Sequence, residues 1–509
     1  MDSNSESVWY GAPPAPESMG APETPHENER YSRLRTDARY FLLLSLALGA
    51  VFALFFVNAY ALGLNAAVLA AAMAAATQLA LGKLGLREGK RDFFWSASLV
   101  LLGLSVAWTA NPMTQNVSFL GLFLAELLWL MNAFADILSW RFGRVVSGGF
   151  RLVGRIITHL PEPFRHLAAL RRGDRKNAQS VLLGILIAVP LLWVVVSLLA
   201  SADAAFGALT ERIFGGWSVS KTVRTVIRAV FYTLIPAAVF YAALAAQTER
   251  SEFPAKEARR AGALIAITFT GALAVVYAVF CGIQIAVLFA GDVSALPEGM
   301  TYAEYAREGF FQLLLVSGIN VVLIITAQRR FVSSKALRAL LVFLTVCTYL
   351  TEASSAMRML LYVNAYGLTY LRLLVLWFLA LLALILGAAA YTVFHEDFGL
   401  FRFTLAACMA FWLVFAFARP DAIAARYNLA KHGLDDTTEA EISHECSSDA
   451  IGALRPYFAD IAGRGEDSTM YLQLTISVIR DCSERGVRSF NFSAWEAMRT
   501  AEDFIDAYT

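Results

Sequence analysis

Glu352 and Arg358 lie six positions apart inside a long apolar stretch of this chain. A charge near the centre of a bilayer costs about 3 kcal/mol even on the gentler scales, so each needs a cavity or a partner. At about 100° per residue, Thr348, Thr351, Glu352, Ser355, Arg358 and Tyr362 fall within roughly a 120° sector of one helix. Leu350, Met357, Leu360 and Leu361 occupy the other side. The pattern predicts a polar stripe turned to a bundle interior, in the outer half of its span. Glu352 and Arg358 are themselves separated by about 120° around the helix, so each is expected to find its partner on another helix. The bland alternative is an intramembrane ion pair that only fixes helix packing.

Other polar groups are expected at the same depth. Asp203, Glu304, Tyr305, Arg307, Tyr366 and Arg372 join Glu352, Arg358 and Tyr362 at the outer ends of their helices. Together they suggest an outward-facing polar cavity for a solute or a lipid. Each also has a plainer reading. Thr301 and Glu304 fit a capping box opening the next helix. Asp203, with Phe206 and Ile213, fits a helix lying in the interface. Arg372 can snorkel to the headgroups. Glu126, with Trp129, Asn132 and Asp136 in one sector, is the deepest carboxylate; it is either a proton relay or a neutral, hydrogen-bonded carboxyl. Thr270, Tyr277, Cys281 and Gln284 line a weaker polar face that reads as interhelical glue. Cys446 and Cys482 are candidates for a disulfide. Cys281, Cys347 and Cys408 read as small apolar packing residues.

Several chemistries lack their residues. There is no Walker motif, so any transport is passive, ion-coupled or partner-driven. No histidine lies in a span core, which argues against haem or a histidine relay in the membrane. His432, Asp435, Asp436, His444 and Cys446 have metal-ligand types at no recognised metal spacing, so neither a metal nor a cofactor is expected. No acid/base or nucleophile constellation converges, and a non-enzymatic role is preferred. The basic stretch 140–178 reads as a loop contacting anionic lipid rather than nucleic acid.

These residues need long apolar helices to hold them, and 58% of the chain is hydrophobic. About eleven runs, from 41–60 to 402–419, have the roughly 20 residues that a spanning helix needs. They include 93–110, 117–138, 179–200, 262–290, 338–363 and 368–393. Lys and Arg recur in every second loop, which predicts a cytoplasmic N-terminus and, with an odd count, an extracytoplasmic C-terminus. The loop at 394–401 lacks a positive bias and is the weak point of that count. The expected fold class is an all-α membrane bundle of about eleven helices with a small helical soluble part. Its divisions are a polar, unstructured 1–40, a transmembrane 41–419 and an acidic 420–509. That last part carries 8 Lys/Arg against 16 Asp/Glu. Ser493 and Glu496 form a possible capping box for its last helix.

The blocks LASADAAF (199–206), TYAEYAREGFFQL (301–313), EASSAMRMLLYVNAYGLTYLR (352–372), RPDAIAARYNLAK (419–431), SSDAIGAL (447–454) and RSFNFSAW (488–495) occur in this order. In them the chain resembles a bacterial family of polytopic membrane proteins catalogued only as a domain of unknown function. RPD departs from the family, which tends to have Asn before Pro-Asp. The resemblance implies a bacterial cytoplasmic-membrane protein of helical fold and supplies no activity. A transporter or permease-like protein is the first expectation. A non-catalytic envelope or signalling component that recruits partners is the second, and an enzyme acting on a lipid-linked substrate the third. The bilayer is the one partner implied; protein partners are not legible.

Overall fold

An apolar run in lipid must satisfy its own backbone, and a helix does so without help from other segments. The computed structural model describes residues 29–87, 89–140, 142–170, 221–249, 261–289, 310–433, 446–465 and 469–508, with scattered positions between 195 and 209. Among the described residues no strand occurs, only an isolated bridge between Ala261 and Phe331.

In chain order the first helices are α1 (Glu29–Thr36), α2 (Ala38–Phe56), α3 (Leu64–Leu84), α4 (Gly89–Trp108), α5 (Pro112–Phe134), α6 (Phe142–His159) and α7 (Glu162–Leu170). Next come α8 (Lys221–Thr248), α9 (Ala263–Phe289), α10 (Phe310–Arg330), α11 (Lys335–Tyr366), α12 (Tyr370–Tyr391) and α13 (Leu400–Phe417). The C-terminal helices are α14 (Pro420–His432), α15 (Ile451–Gly463), α16 (Thr469–Glu484) and α17 (Phe492–Tyr508).

Among the described residues nine helices are long and apolar enough to cross a membrane, which makes this a multi-pass membrane protein. They are α2, α3, α5 and α8 to α13. The expected count of eleven differs at two places. The run 93–110 is α4, whose first turn carries Lys90, Arg91 and Asp92 and dilutes its apolarity. The run 179–200 lies, but for Val195 and Leu199, outside the described residues. The stretch 1–40 also differs from expectation. Residues 29–36 coil into α1 because Leu34 is fully buried and the Tyr31 hydroxyl donates to Glu162 (3.3 Å).

Two groups of helices share the bundle. α2, α3, α5 and α8 enclose Phe41, Met73, Leu130, Phe240 and Leu244, while α4 packs along α3 and α5. α9 to α12 enclose Ala266, Ile324, Leu341 and Leu386. α13 joins them: Trp412 Nε1 donates to Ser118 Oγ on α5 (3.0 Å), and Trp377 Nε1 on α12 donates to the Phe411 carbonyl (2.8 Å). Small residues allow helices to cross closely. A Cβ on Gly103 of α4 would lie 2.6 Å from Ala70 Cβ of α3, so no larger residue fits.

The two ends of the bundle differ. α1, α6 and α7 gather at one end, near the close of α8. The C-terminal helices dock at the other, on the turns 57–63, 109–111 and 367–369. Their own core stacks Phe458 on Tyr471 (4.7 Å), with Phe504 edge-on to Tyr471 (4.7 Å). The start of α17 corrects the expected capping box. Asn491 Oδ1 accepts the Ala494 amide (3.0 Å) and is the cap. Glu496 is spent on Arg419 instead (2.6 Å).

Candidate functional site

The polar stripe of α11 follows from its spacing. Thr348, Thr351, Glu352 and Ser355 recur at helical intervals and are all buried. The hydroxyls of Thr348, Thr351 and Ser355 donate back to the carbonyls of Leu344 (2.7 Å), Cys347 (2.9 Å) and Thr351 (2.9 Å). Their protons are thereby used, so what they can offer a ligand is oxygen lone pairs. Glu352 is 4% exposed. Neither of its carboxylate oxygens has a hydrogen-bond partner among the described residues.

Two neighbouring helices complete the interior. On α10, Asn320 Nδ2 donates to Thr348 Oγ1 (2.9 Å), and Asn320 Oδ1 accepts from the Tyr277 hydroxyl of α9 (2.8 Å). Gln284 Oε1 of α9 accepts from Ser354 Oγ (2.8 Å). Tyr277, Cys281 and Gln284 thus face α10 and α11, with the Cys281 thiol set against the Cys347 carbonyl (3.8 Å). The result is a polar seam between α9, α10 and α11 with an ionisable group at its centre. Glu352 stands 17 residues from the start of α11 and 14 from its end, just past its midpoint.

The other predicted residues divide. Tyr362, Tyr366 and Arg372 come together at the end of α11. Arg372 Nη1 donates to the carbonyls of Tyr366 (2.7 Å) and Gly367 (2.6 Å), and its guanidinium lies 4.4 Å from the Tyr362 ring centre. A cation on the last carbonyls of a helix caps it and complements its dipole. Tyr362 and Tyr366 lie 10 and 14 residues beyond Glu352, about 15 to 21 Å along α11. Arg358 is half-buried on α11 between Glu352 and these tyrosines. Asp203 is exposed and accepts the Phe206 amide (2.7 Å). Glu304, Tyr305 and Arg307, with the capping box at Thr301, lie outside the described residues.

Glu126 of α5 accepts a hydrogen bond from Thr77 of α3, and its second oxygen is buried without a hydrogen-bond partner among the described residues. Cys446 and Cys482, the candidate pair, are not bridged to each other in this structure. Cys446 lines a cavity of about 400 Å³ with Ser447, Ser477, Asp481 and Arg485. Cys482 is on α16, within electrostatic reach of Glu502 on α17. Among the described residues no cluster of His, Cys, Asp and Glu could hold a metal ion.

The sequence reading missed the junction between the bundle and the C-terminal helices. Asp449 accepts from Thr109 Oγ1 and from the Ala110 amide (2.7 Å). Asp421 accepts from Asn111 Nδ2 (3.0 Å) and the Ser447 amide (3.0 Å). Asn491 Nδ2 donates to the carbonyls of Val106 (3.1 Å) and Thr109 (2.7 Å). Burial pushes the Asp449 carboxyl above its usual range, against the pull of its donors Ser493, Thr109 and Ala110. Beside it Arg419 takes a left-handed backbone conformation (φ 54°), and its guanidinium lies 4.7 Å from the Trp108 ring centre. The blocks RPD, SSDA and RSFN meet here. Their order in the chain was visible; their meeting place was not.

The sequence profile of the family described as Domain of unknown function (DUF4153) matches residues 96–456, more than half of the chain. No curated protein and no solved structure matches it.

Proposed function

From the premise that the chain belongs to the DUF4153 family, a domain of unknown function, and has nine membrane-length apolar helices among the described residues, we infer that it is a permease-like protein of the bacterial cytoplasmic membrane. Its seam between α9, α10 and α11 takes a cationic species at Glu352, either a proton or a solute bearing an ammonium group. One observation carries the reading: Glu352 is buried without a hydrogen-bond partner among the described residues, and is flanked by hydroxyls whose protons are already committed. An ionised carboxylate held that way is costly unless a proton or cation joins it. The hydroxyls flanking Glu352 offer lone pairs, which suits a species that brings its own hydrogen-bond donors or positive charge.

The proposed orientation keeps the N-terminus in the cytoplasm and the C-terminal helices outside. Lys83, Arg87, Lys90, Arg91 and the arginines of α6 and α7 crowd one end of the bundle. The turns under the C-terminal helices, 57–63, 109–111 and 367–369, hold no Lys or Arg. That asymmetry is the one that orients membrane proteins.

The test is uptake by proteoliposomes, with and without an imposed pH gradient, using labelled amines, polyamines and quaternary ammonium ions. The expected result is saturable uptake of one class, or proton flux alone, abolished by Glu352→Gln. Uptake equal to that of empty liposomes for every probe, or full uptake by Glu352→Gln, overturns the reading.

A further inference from the structure

The most sharply divided surface outside the Glu352 seam is that of α6, and we propose that α6 is an in-plane anchor that embeds in a leaflet rich in anionic phospholipid. Around its axis, at about 100° per residue, its residues sort into separate faces. Val145, Gly148 and Leu152 form the face buried against the bundle. Phe142, Val146, Phe150, Val153 and Ile157 fall within a sector about 80° wide. All five are exposed, Phe150 at 76% and Phe142 at 63%. Arg144, Arg151 and Arg155 fall roughly opposite that sector.

The packing partners fix the depth and tilt of α6. Its first residue, Phe142, meets the ring of Phe401 (6.4 Å), one residue into α13. Its middle approaches Met131, three residues from the end of α5, and a Cβ on Gly148 would come within 3.0 Å of Met131 Cε. Leu152 shares a core with Ala246, two residues from the end of α8. Its last residue, His159, contacts Glu249 just past that end. A helix of 18 residues is about 27 Å long. Run parallel to the spans, it would cross most of a leaflet pair. Instead, start, middle and end all touch the ends of spanning helices, so α6 lies across that end, at the level where lipid tails give way to headgroups.

Faces and depth together specify the occupant. With the bundle to one side, the exposed apolar sector lies about 125° around the helix from the buried face, and the arginines about 75° the other way. That is the arrangement of a helix whose apolar side enters the acyl region and whose cations stay among headgroups. A leaflet of zwitterionic lipid would satisfy the apolar sector alone. Arg144, Arg151 and Arg155 on one face call for a negatively charged headgroup.

The proposal is tested with the full chain in nanodiscs carrying a photo-crosslinking phosphatidylglycerol or a photo-crosslinking phosphatidylcholine, adducts being mapped by mass spectrometry. Adducts on the exposed face of α9, at Val275 and Val279, report lipid contact independent of α6. The expected result is adducts on 142–159 from both lipids, several-fold more from phosphatidylglycerol. Arg144→Gln with Arg151→Gln should remove that excess. Phe150→Ser with Ile157→Ser should lower both yields on α6 and leave α9 unchanged. An unlabelled α6 beside a labelled α9 overturns the anchor. Equal yields from the two lipids overturn the anionic preference.

Discussion

Asp449 and Thr109 stand 340 residues apart in the chain and are joined by a hydrogen bond from the threonine hydroxyl to the aspartate. Ala110 adds its amide to the same carboxylate (2.7 Å). The contact is buried and binds the short turn before α15 to the loop between α4 and α5. Truncating the carboxylate leaves both donors without an acceptor. Asp449→Ala is therefore expected to lower stability by roughly 2–3 kcal/mol. Thermal unfolding in detergent, with limited proteolysis after Ser447, checks it.

The same residue gives the junction a pH dependence of definite sign. Burial raises the Asp449 carboxyl above its unfolded value, and nearby Asp421 adds to the rise. In that window the folded state holds the proton that the unfolded state has released, so stability falls as pH rises and levels off above the raised value. The charged group that acts on Asp449 is Asp421, and its other neighbours, Thr109, Ala110 and Ser493, are neutral donors. Asp449→Asn should flatten the dependence. A slope unchanged in that variant would assign it to another group.

Arg419 holds a conformation that side chains rarely adopt. Left-handed backbone costs a residue with a Cβ about 1–2 kcal/mol, and asparagine tolerates it best. In this chain Arg419 regains part of that through Glu496 (2.6 Å) and the Trp108 face (4.7 Å). Arg419→Ala should therefore be the least stable of three, losing both contacts and keeping the strain. Arg419→Asn should fall between it and the parent. Melting temperatures of the three chains decide the order, and an alanine variant as stable as the parent would show that the contacts contribute nothing.

Gly367 joins α11 to α12 at φ 79°, and a Cβ there would lie 3.1 Å from Asn428 Oδ1. Asn428 bridges the amide and carbonyl of Leu368 (2.6 and 3.0 Å), tying α14 to this turn. Gly367→Ala is expected to cost about 2 kcal/mol or more, from backbone strain and the crowded amide together. Hydrogen exchange in α14 should rise in that variant; unchanged exchange would free the turn of any part in docking.

Much of the bundle was legible because its helices must each be apolar over about twenty residues. The stripe on α11 was legible for the same reason, since burial made Thr348, Thr351, Glu352 and Ser355 recur at helical spacing. Whether the outer-end residues meet was not legible, because shared depth along a chain says nothing of lateral position. Arg372 turned out to cap its neighbour's end. The charge count of 140–178 concealed α6, whose apolar residues reveal themselves only when sorted around the helix. Ser493 and Glu496 fitted a capping box locally, yet long-range partners, Asp449 and Arg419, claimed both side chains. The junction at Asp449 rests on contacts hundreds of residues apart, which no local pattern encodes.

The account turns on Glu352, and a carbodiimide that enters lipid and modifies protonated carboxyls reports on it directly. Applied to the full chain in native membranes and read by mass spectrometry, the reagent should modify Glu352. Modification should decline as pH rises, and the cationic solute taken up in proteoliposomes should protect the site. An unmodified Glu352 at every pH where the chain stays folded, or modification that no cationic probe and no proton gradient changes, would contradict the claim that this carboxyl receives the transported species.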